Sequence, residues 1–352
     1  MGRRFEPVWA HPKGEFNPRF QTYTLNMAVP NTWLITGGAG YIGAHIADAF
    51  LNEGKRVIVY DSLYRGLESR VDYLRNKYNK EIPLIVADIR DKNSLTTAIQ
   101  KYKPEGVIHV AALKSVAESM DNPSDYFEVN HDATKSLIEV VSSNGVHHLI
   151  FSSTAAVYGM PNHSYPVKED NPKNPISPYG ASKLAAENEV NLFLEGPGNF
   201  GTSLRFFNVA GAAAQELLDN SVENLIPIVI GKLKSGQAPS IYGTDYATPD
   251  GTCIRDYVDV RDVARAHLMA AESISVLPLS MNIGTGHGAS VREVIQLLCT
   301  SLNQKEIKAI ELGRRAGDCD SLIADVSLIR SALDFETNFS LKDSIEALFS
   351  EF

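Results

Sequence analysis

Two short stretches of this chain carry residue types whose spacing could do chemistry. Tyr179 and Lys183 stand four apart in Tyr179-Gly180-Ala181-Ser182-Lys183, and Pro178 just before them suits the first turn of a helix. On a helix, positions i and i+4 share a face, so phenol and ammonium would lie side by side. A free phenol titrates near pH ~10 and is a poor base at neutrality. Nearby positive charge favours phenolate and lowers that value, which is how a tyrosine becomes a proton acceptor. A Tyr and Lys at this spacing are common by chance, and an exposed helical pair is the ordinary alternative. Position decides between them: the pair follows Phe151-Ser152-Ser153-Thr154, an apolar run ending in hydroxyls. Thr154 could hydrogen-bond the phenolate or a substrate oxygen; capping the strand end is its structural alternative.

The second stretch is Gly37-Gly38-Ala39-Gly40-Tyr41-Ile42-Gly43. Glycines at 37, 40 and 43 allow a tight turn, a close approach of backbone amides to a pyrophosphate, and close packing of the following helix. That helix would turn its positive end to the phosphate. A glycine triplet alone indicates only a turn. Here an apolar strand (Trp33 to Thr36) precedes it, a helical period (Tyr41 to Asn52) follows it, and Asp61 ends the next strand, 18 residues beyond Gly43. A carboxylate there accepts from a ribose 2′-hydroxyl and repels a 2′-phosphate, so the pattern predicts NAD rather than NADP. Asp88-Ile89, closing the next strand, is expected to border the adenine.

These residues need a scaffold, and the rest of the pattern supplies one. Apolar runs recur at Arg56–Tyr60, Pro83–Ala87, Val107–Val110, His148–Ser152 and Leu204–Phe207, with helical stretches such as 93–102 and 124–144 between them. Strands this apolar are buried on both faces, and alternating βα units build a parallel sheet with ligands at its carboxyl ends. The first half is therefore expected to be a doubly wound α/β sheet. After Gly211 the alternation weakens. Tyr257–Val260 and Met281–Ile283 are expected to return to the main sheet. This gives 30–211 with 256–285 as the dinucleotide domain, 212–255 with 286–352 as a smaller discontinuous lobe, and a ligand cleft between them.

Composition narrows the function. The 352 residues carry a net charge of −9 and are 44% hydrophobic. An acidic surface disfavours nucleic acid and anionic membrane. No apolar run approaches the roughly 18 residues of a membrane span. The three cysteines, Cys253, Cys299 and Cys319, contain no C-x-x-C pair and fit a reducing cytoplasm. His147, His148 and His287 lack a clustered carboxylate or third ligand, so no metal is assigned. Residues 1–29 are basic and proline-interrupted; a packed arm, or sequence upstream of a start at Met27, is expected over a targeting peptide.

Taken together, TGGAGYIG, YGASK and the strand end SSTAAVYG resemble an extended short-chain dehydrogenase/reductase with a Rossmann-like fold. Ala111 to Val116, RFFNVAGA (205–212), ENLIP (223–227), DGTCIRDYVDV (250–260) and RRAGD (314–318) further resemble the UDP-glucose 4-epimerases in order and spacing, from about residue 32 almost to the C-terminus. The resemblance implies a firmly held NAD contacted by Tyr41, Ile42, Ala111, Ala112, Lys114, Asn130 and Phe206. It implies that Tyr179 takes the proton of a sugar 4-hydroxyl while C4 gives up hydride. The flat 4-keto sugar then turns in the cleft and is reduced on its other face. Lys183 would bind the nicotinamide ribose and depress the Tyr179 pKa together with the nicotinamide cation, and Thr154 stands where the family places Ser or Thr.

The same resemblance implies a UDP-sugar substrate, met by Lys114, Thr154, Tyr179, Asn208, Asn224, Leu225, Tyr242, Arg255, Arg315 and Asp318. An arginine fork suits diphosphate oxygens. Asp318 would accept from the uridine ribose, and Tyr242 would lie near the uracil. Surface charge is the alternative for Arg315 and an internal ion pair for Arg255. Two departures stand out. The loop between Gly211 and ENLIP is short, and Leu322 aligns where some members carry a bulky aromatic beside the sugar, leaving room for an N-acetyl group. The rivals are a C4 epimerase of another UDP-sugar (UDP-N-acetylglucosamine or UDP-xylose), a nucleotide-sugar dehydratase, and a nonenzymatic NAD-sensing module. Dehydratases carry an Asp-Glu pair just after the strand-end Thr, whereas this chain has Ala155-Ala156, whose methyl groups cannot transfer protons. A homodimer through a helical bundle is also implied. The stretch 124–144, with Tyr126, Leu137 and Val141, is a candidate face, though core burial explains those residues equally well.

Overall fold

Six of the apolar runs become parallel strands of one sheet: β1 (Thr32–Thr36), β2 (Arg56–Asp61), β3 (Leu84–Val86), β4 (Gly106–His109), β5 (His148–Thr154) and β6 (Phe200–Phe206). The remaining strands are β7 (Asn208–Ala210), β8 (Ser240–Tyr242), β9 (Ile254–Asp259), β10 (Ser280–Ile283), β11 (Gly288–Ser290), β12 (Ile310–Leu312) and β13 (Ser321–Leu322). The structure is a computed structural model. It describes residues 31–161, 166–221, 223–315 and 317–349, so the expectations about 1–29 lie outside the described residues.

The seven-stranded sheet runs β10-β6-β5-β4-β1-β2-β3. Strand order reverses at β1, which lies between β2 and β4, and the glycine loop leaves its carboxyl end there. Alternate residues of each strand feed opposite cores. Trp33 and Ile35 of β1 pack with the helix Tyr41–Asn52, and Trp33 meets Phe50 edge-on at 5.6 Å. Leu34 between them packs on the other face with Leu95, Ile99, Leu137 and Val190. Both faces being covered is why the sequence shows unbroken apolar runs instead of alternation. A fully buried side chain such as Leu137 contributes about 2 kcal/mol of transfer free energy.

A second sheet has the order β11-β9-β13 with β7 paired to β9, and β8 and β12 form a two-stranded sheet. Met281–Ile283 does join the main sheet, as part of β10. Tyr257–Val260 does not. β9 pairs with β7, β11 and β13, while Val260 opens the helix Val260–Glu272, capped by the Asp259 carboxylate accepting from the Arg261 amide. A short strand pattern cannot say which sheet claims it.

A second difference concerns 124–144. Instead of one helix, Pro123–Phe127 and Ala133–Ser143 flank a π-helical turn at Glu128–Asp132. The widened turn carries Asn130, whose side chain is fully engaged: Oδ1 accepts from the Leu113 amide at 2.8 Å, and Nδ2 donates to the Leu113 carbonyl at 3.0 Å and to Ser182 Oγ at 3.1 Å. π-turns inside helices recur at functional sites.

Candidate active site

The glycine loop forms the floor of a cleft of about 1400 Å³. At Gly37, φ is +69° and an added Cβ would stand 2.7 Å from the Ala111 nitrogen. At Gly43 an added Cβ would stand 2.1 Å from the Gly37 carbonyl oxygen, so the helix meets the loop with no room for a methyl group. The Tyr41 hydroxyl donates to the Gly211 carbonyl at 2.6 Å, tying the loop to the start of the smaller lobe. This bare floor at a helix N-terminus, with Asp61 beside it, fits a dinucleotide. Asp61 Oδ2 accepts from the Ala39 amide at 3.0 Å and Oδ1 from the Leu63 amide at 2.8 Å. Burial raises its carboxyl pKa, against these amides and Arg70.

Of the residues expected from the sequence, Gly37, Gly40, Tyr41, Ile42, Gly43, Asp61, Asp88, Ile89, Ala111, Ala112, Lys114 and Phe206 all line this cleft. So do Thr154, Tyr179, Lys183, Asn208, Asn224, Leu225 and Leu322. At the rim, Asp88 is paired with Arg90 at 2.7 Å, which holds its carboxyl below the usual range. Lys114 Nζ lies 3.8 Å from Asp219, whose carboxylate also accepts from Asn224 Nδ2 at 2.7 Å. Asn130 is the exception among the cofactor candidates. It is buried behind the wall and spends its amide on Leu113 and Ser182, so it shapes the site from behind.

The diphosphate candidates gather elsewhere. Arg255 Nη2 pairs with Asp318 at 3.2 Å, and the Arg315 guanidinium stacks 3.7 Å from the Tyr242 ring centroid. None of these four lines the cleft, but Arg255 adjoins it. Leu322 of β13 is paired with Arg255 of β9, and Tyr257, two residues along the same strand, is in the cleft wall. Their separation along the chain hid this adjacency, which parallel pairing of β9 and β13 creates.

The catalytic candidates meet as the spacing predicts. Ser177 caps the helix Pro178–Glu195 by accepting from the Gly180 amide at 3.1 Å, with Pro178 in its first turn. Tyr179 and Lys183 share its cleft-facing side, and Thr154 at the end of β5 hydrogen-bonds the phenol. The Tyr126 ring packs edge-on at 6.3 Å from Tyr179. Without the nicotinamide cation, burial pushes the phenol up, against the lowering effect of the Thr154 hydrogen bond. Lys183 is buried above the Phe151 ring at 4.0 Å, and burial lowers its ammonium to about 7 against the raising effect of Glu187.

Sequence reasoning missed Arg65, which crosses the cleft mouth. Its guanidinium reaches Glu118 at 2.5 Å on one side and Glu223 at 3.0 Å on the other, and Glu118 accepts from the Tyr126 hydroxyl at 3.1 Å. The only local signal was a cation four residues after Asp61, in a stretch that reads as a solvated loop.

Comparison with known proteins agrees with this geometry. A family model described as the NAD dependent epimerase/dehydratase family matches residues 33–284. The UDP-glucose 4-epimerase of Halalkalibacterium halodurans is 38% identical over 320 residues, covering 89% of this chain and 93% of that protein. The crystal structure of UDP-glucose 4-epimerase from Bifidobacterium longum in complex with NAD+ and UDP superposes with a TM-score of 0.83 at 33% identity, covering 90% of this chain and 96% of that one. The UDP-Glc/GlcNAc 4-epimerase of Campylobacter jejuni gives a TM-score of 0.78 at 34% identity, covering 90% and 97%. This chain belongs to the NAD dependent epimerase/dehydratase family.

Proposed function

We propose that the chain is an NAD-dependent epimerase that inverts C4 of a UDP-hexose, interconverting UDP-galactose and UDP-glucose through a transient 4-keto sugar. The observation that carries this reading is one cleft holding both halves of the chemistry. The glycine floor with Asp61 lies in it, and so do Tyr179, Thr154 and Lys183. Its volume exceeds the roughly 300–1,000 Å³ of a single-ligand pocket, which suits a dinucleotide beside a second ligand.

When bound, NAD supplies a hydride acceptor, a hydride donor once reduced, and a positive ring. The protein does the rest. Asp61 faces the adenosine ribose. Tyr179 takes the proton from the sugar 4-hydroxyl and returns it, with the Thr154 hydroxyl fixing the phenol oxygen. Lys183 adds positive charge one helical turn away. Asn208, Asn224, Leu225 and Lys114 hold the substrate, and Arg255 with Arg315 receives the diphosphate, with Tyr242 and Asp318 at the uridine. Ala155 and Ala156 line the cleft just after Thr154, where a dehydratase needs a proton donor and acceptor. That favours epimerisation over elimination.

Purified protein incubated with UDP-galactose and no added cofactor is expected to yield UDP-glucose. Absence of product both without and with added NAD would sink the reading. We also propose that the enzyme works in the cytoplasm as a homodimer, supported by partly exposed Phe127 and exposed Leu192 on the helices Pro123–Phe127 and Pro178–Glu195. Among the described residues no helix is long and apolar enough to cross a membrane.

A second reading, activity on UDP-N-acetylglucosamine, is favoured by Leu322, which lines the cleft where an aromatic ring would narrow it. Leu322→Tyr is expected to cut kcat/KM for the acetylated sugar about tenfold or more while sparing UDP-galactose. Equal effects on both substrates, in parallel steady-state assays, would remove Leu322 as the discriminating contact.

A further inference from the structure

The face of the helix Pro178–Glu195 that carries Tyr179 and Lys183 carries a third ionisable residue in the same register. Glu187 follows Lys183 by four positions and Tyr179 by eight, so the three lie one above another. Glu187 is 1% exposed and Lys183 3%. Burying a carboxylate this completely costs several kcal/mol unless partners satisfy it. Here both oxygens are held. Arg205 of β6 grips them with a forked guanidinium, Nε donating at 3.1 and 3.0 Å and Nη2 closing the pair. Ser153 Oγ donates to Oε2 at 2.7 Å. Ser153 is the residue before Thr154, the phenol's partner, and Arg205 precedes Phe206 of the cleft wall.

The anchors are themselves anchored. Arg205 Nη1 donates to Tyr158 Oη at 2.8 Å and to the Glu169 carbonyl at 3.0 Å. Tyr158 Oη in turn donates to Asn282 Oδ1 at 2.7 Å. The carboxylate is thereby fixed in position at the base of the catalytic face. Such a network is more than the packing of one helix on a sheet requires, since apolar side chains of similar volume would fill the space at no desolvation cost.

We propose that Glu187 is a positioning residue whose anchored carboxylate keeps Lys183 charged beside Tyr179 within a buried site. This rests on the epimerase reading for its functional meaning, though not for its measurement. The surroundings of Lys183 leave Glu187 as its one anionic neighbour among the described residues facing it. The helix itself offers Tyr179 and Glu187. From β5 come Phe151, Ser153 and Thr154. From β4 comes His109, bonded to Thr36 and Thr134 and lowered to about 3 by burial and by Lys183, so it stays neutral. Elsewhere on this helix, Tyr179 meets the edge of Tyr126, and Glu189 pairs with His131. Arg205 pairs with Glu187 from the side away from the cleft wall and offsets part of its charge. Only Glu187 opposes the loss of charge that burial imposes on Lys183.

The test is a pH titration of the full-length protein labelled with 13C at lysine Cε, followed by NMR. The Lys183 signal is assigned by its loss in Lys183→Met. Glu187→Gln is expected to move the Lys183 midpoint down by roughly one pH unit or more, and Glu187→Asp to hold it near wild type. Because Glu187→Gln leaves Arg205 a buried unpaired charge and could fail to fold, Glu187→Gln with Arg205→Gln is measured alongside; it also removes the opposing Arg205 cation, so it is expected to shift the midpoint the same way but by less. Turnover of UDP-galactose should fall at least about tenfold in Glu187→Gln with bound NAD retained. An unmoved Lys183 midpoint in the folded variants overturns the proposal even if turnover falls. Lack of turnover in the wild type overturns the epimerase reading and leaves the titration result standing on its own.

Discussion

Tyr179→Phe should lower kcat for UDP-galactose by about 10²- to 10⁴-fold and leave the protein folded with its dinucleotide in place. The range is what one general acid–base group contributes. The substitution removes a single oxygen from a ring in the cleft wall whose neighbours are Thr154 and the edge of Tyr126, so packing survives. The measurement is steady-state turnover alongside the NAD content of denatured enzyme. The sign of the pH dependence follows from the same surroundings. The phenol must lose its own proton before it can accept one from the sugar, so turnover on the acid side should climb as pH rises. If the Phe variant turned over at a rate near that of the wild type, another group would have to move the proton, and the assignment built on this helix would fall.

Gly43→Ala should strip the protein of its cofactor. The new methyl carbon would stand 2.1 Å from the Gly37 carbonyl oxygen and 2.8 Å from the Gly38 Cα. Those are backbone atoms, which cannot rotate aside as a flexible side chain can. Either the helix Tyr41–Asn52 lifts from the loop or the loop opens, at a cost of about 1–3 kcal/mol. The amides that would receive the pyrophosphate move with it, so NAD affinity should drop by about ten- to a hundredfold. Gly40→Ala is the internal comparison, since its methyl would meet only the Gly37 carbonyl at 3.0 Å. Retained NAD and an unchanged melting temperature in Gly43→Ala, with a larger loss in Gly40→Ala, would contradict the close-packing account.

The two variants probe different levels of the molecule. In the proposed mechanism Tyr179 acts through one atom, and its loss should leave the scaffold intact. Gly43 acts through the absence of an atom, and its replacement disturbs the scaffold while touching no reacting group. Arg65 lies between these cases. It bridges Glu118 and Glu223 across the cleft mouth with its charge partly exposed, so each pair contributes little to stability on its own.

Much of this was legible in the residues alone because it is local. Tyr179 and Lys183 are neighbours wherever their segment is helical, since the period of the helix puts them there. The glycine turn, its strand and its helix are contiguous in the chain, and Asp61 ends the strand that follows directly. Unbroken apolar runs report burial on both faces, and that alone implies covered parallel strands. What lay beyond reach were relations between residues distant in the chain. Both β9 and β10 read as strands, yet β9 joins β7, β11 and β13 instead of the main sheet, because strand partners are chosen by packing and connection rather than by local sequence. The π-turn at Glu128–Asp132 accompanies an Asn130 side chain bonded to Leu113, and helical periodicity gives no sign of that contact. Arg255 and Leu322 are 67 positions apart and become adjacent only through strand pairing. The charge state of the Tyr179–Lys183 pair is the deepest case. Spacing puts an ammonium one turn from a phenol and so suggests a lowered pKa, but the cost of burying charge is a property of the finished interior, and it pushes the phenol the other way.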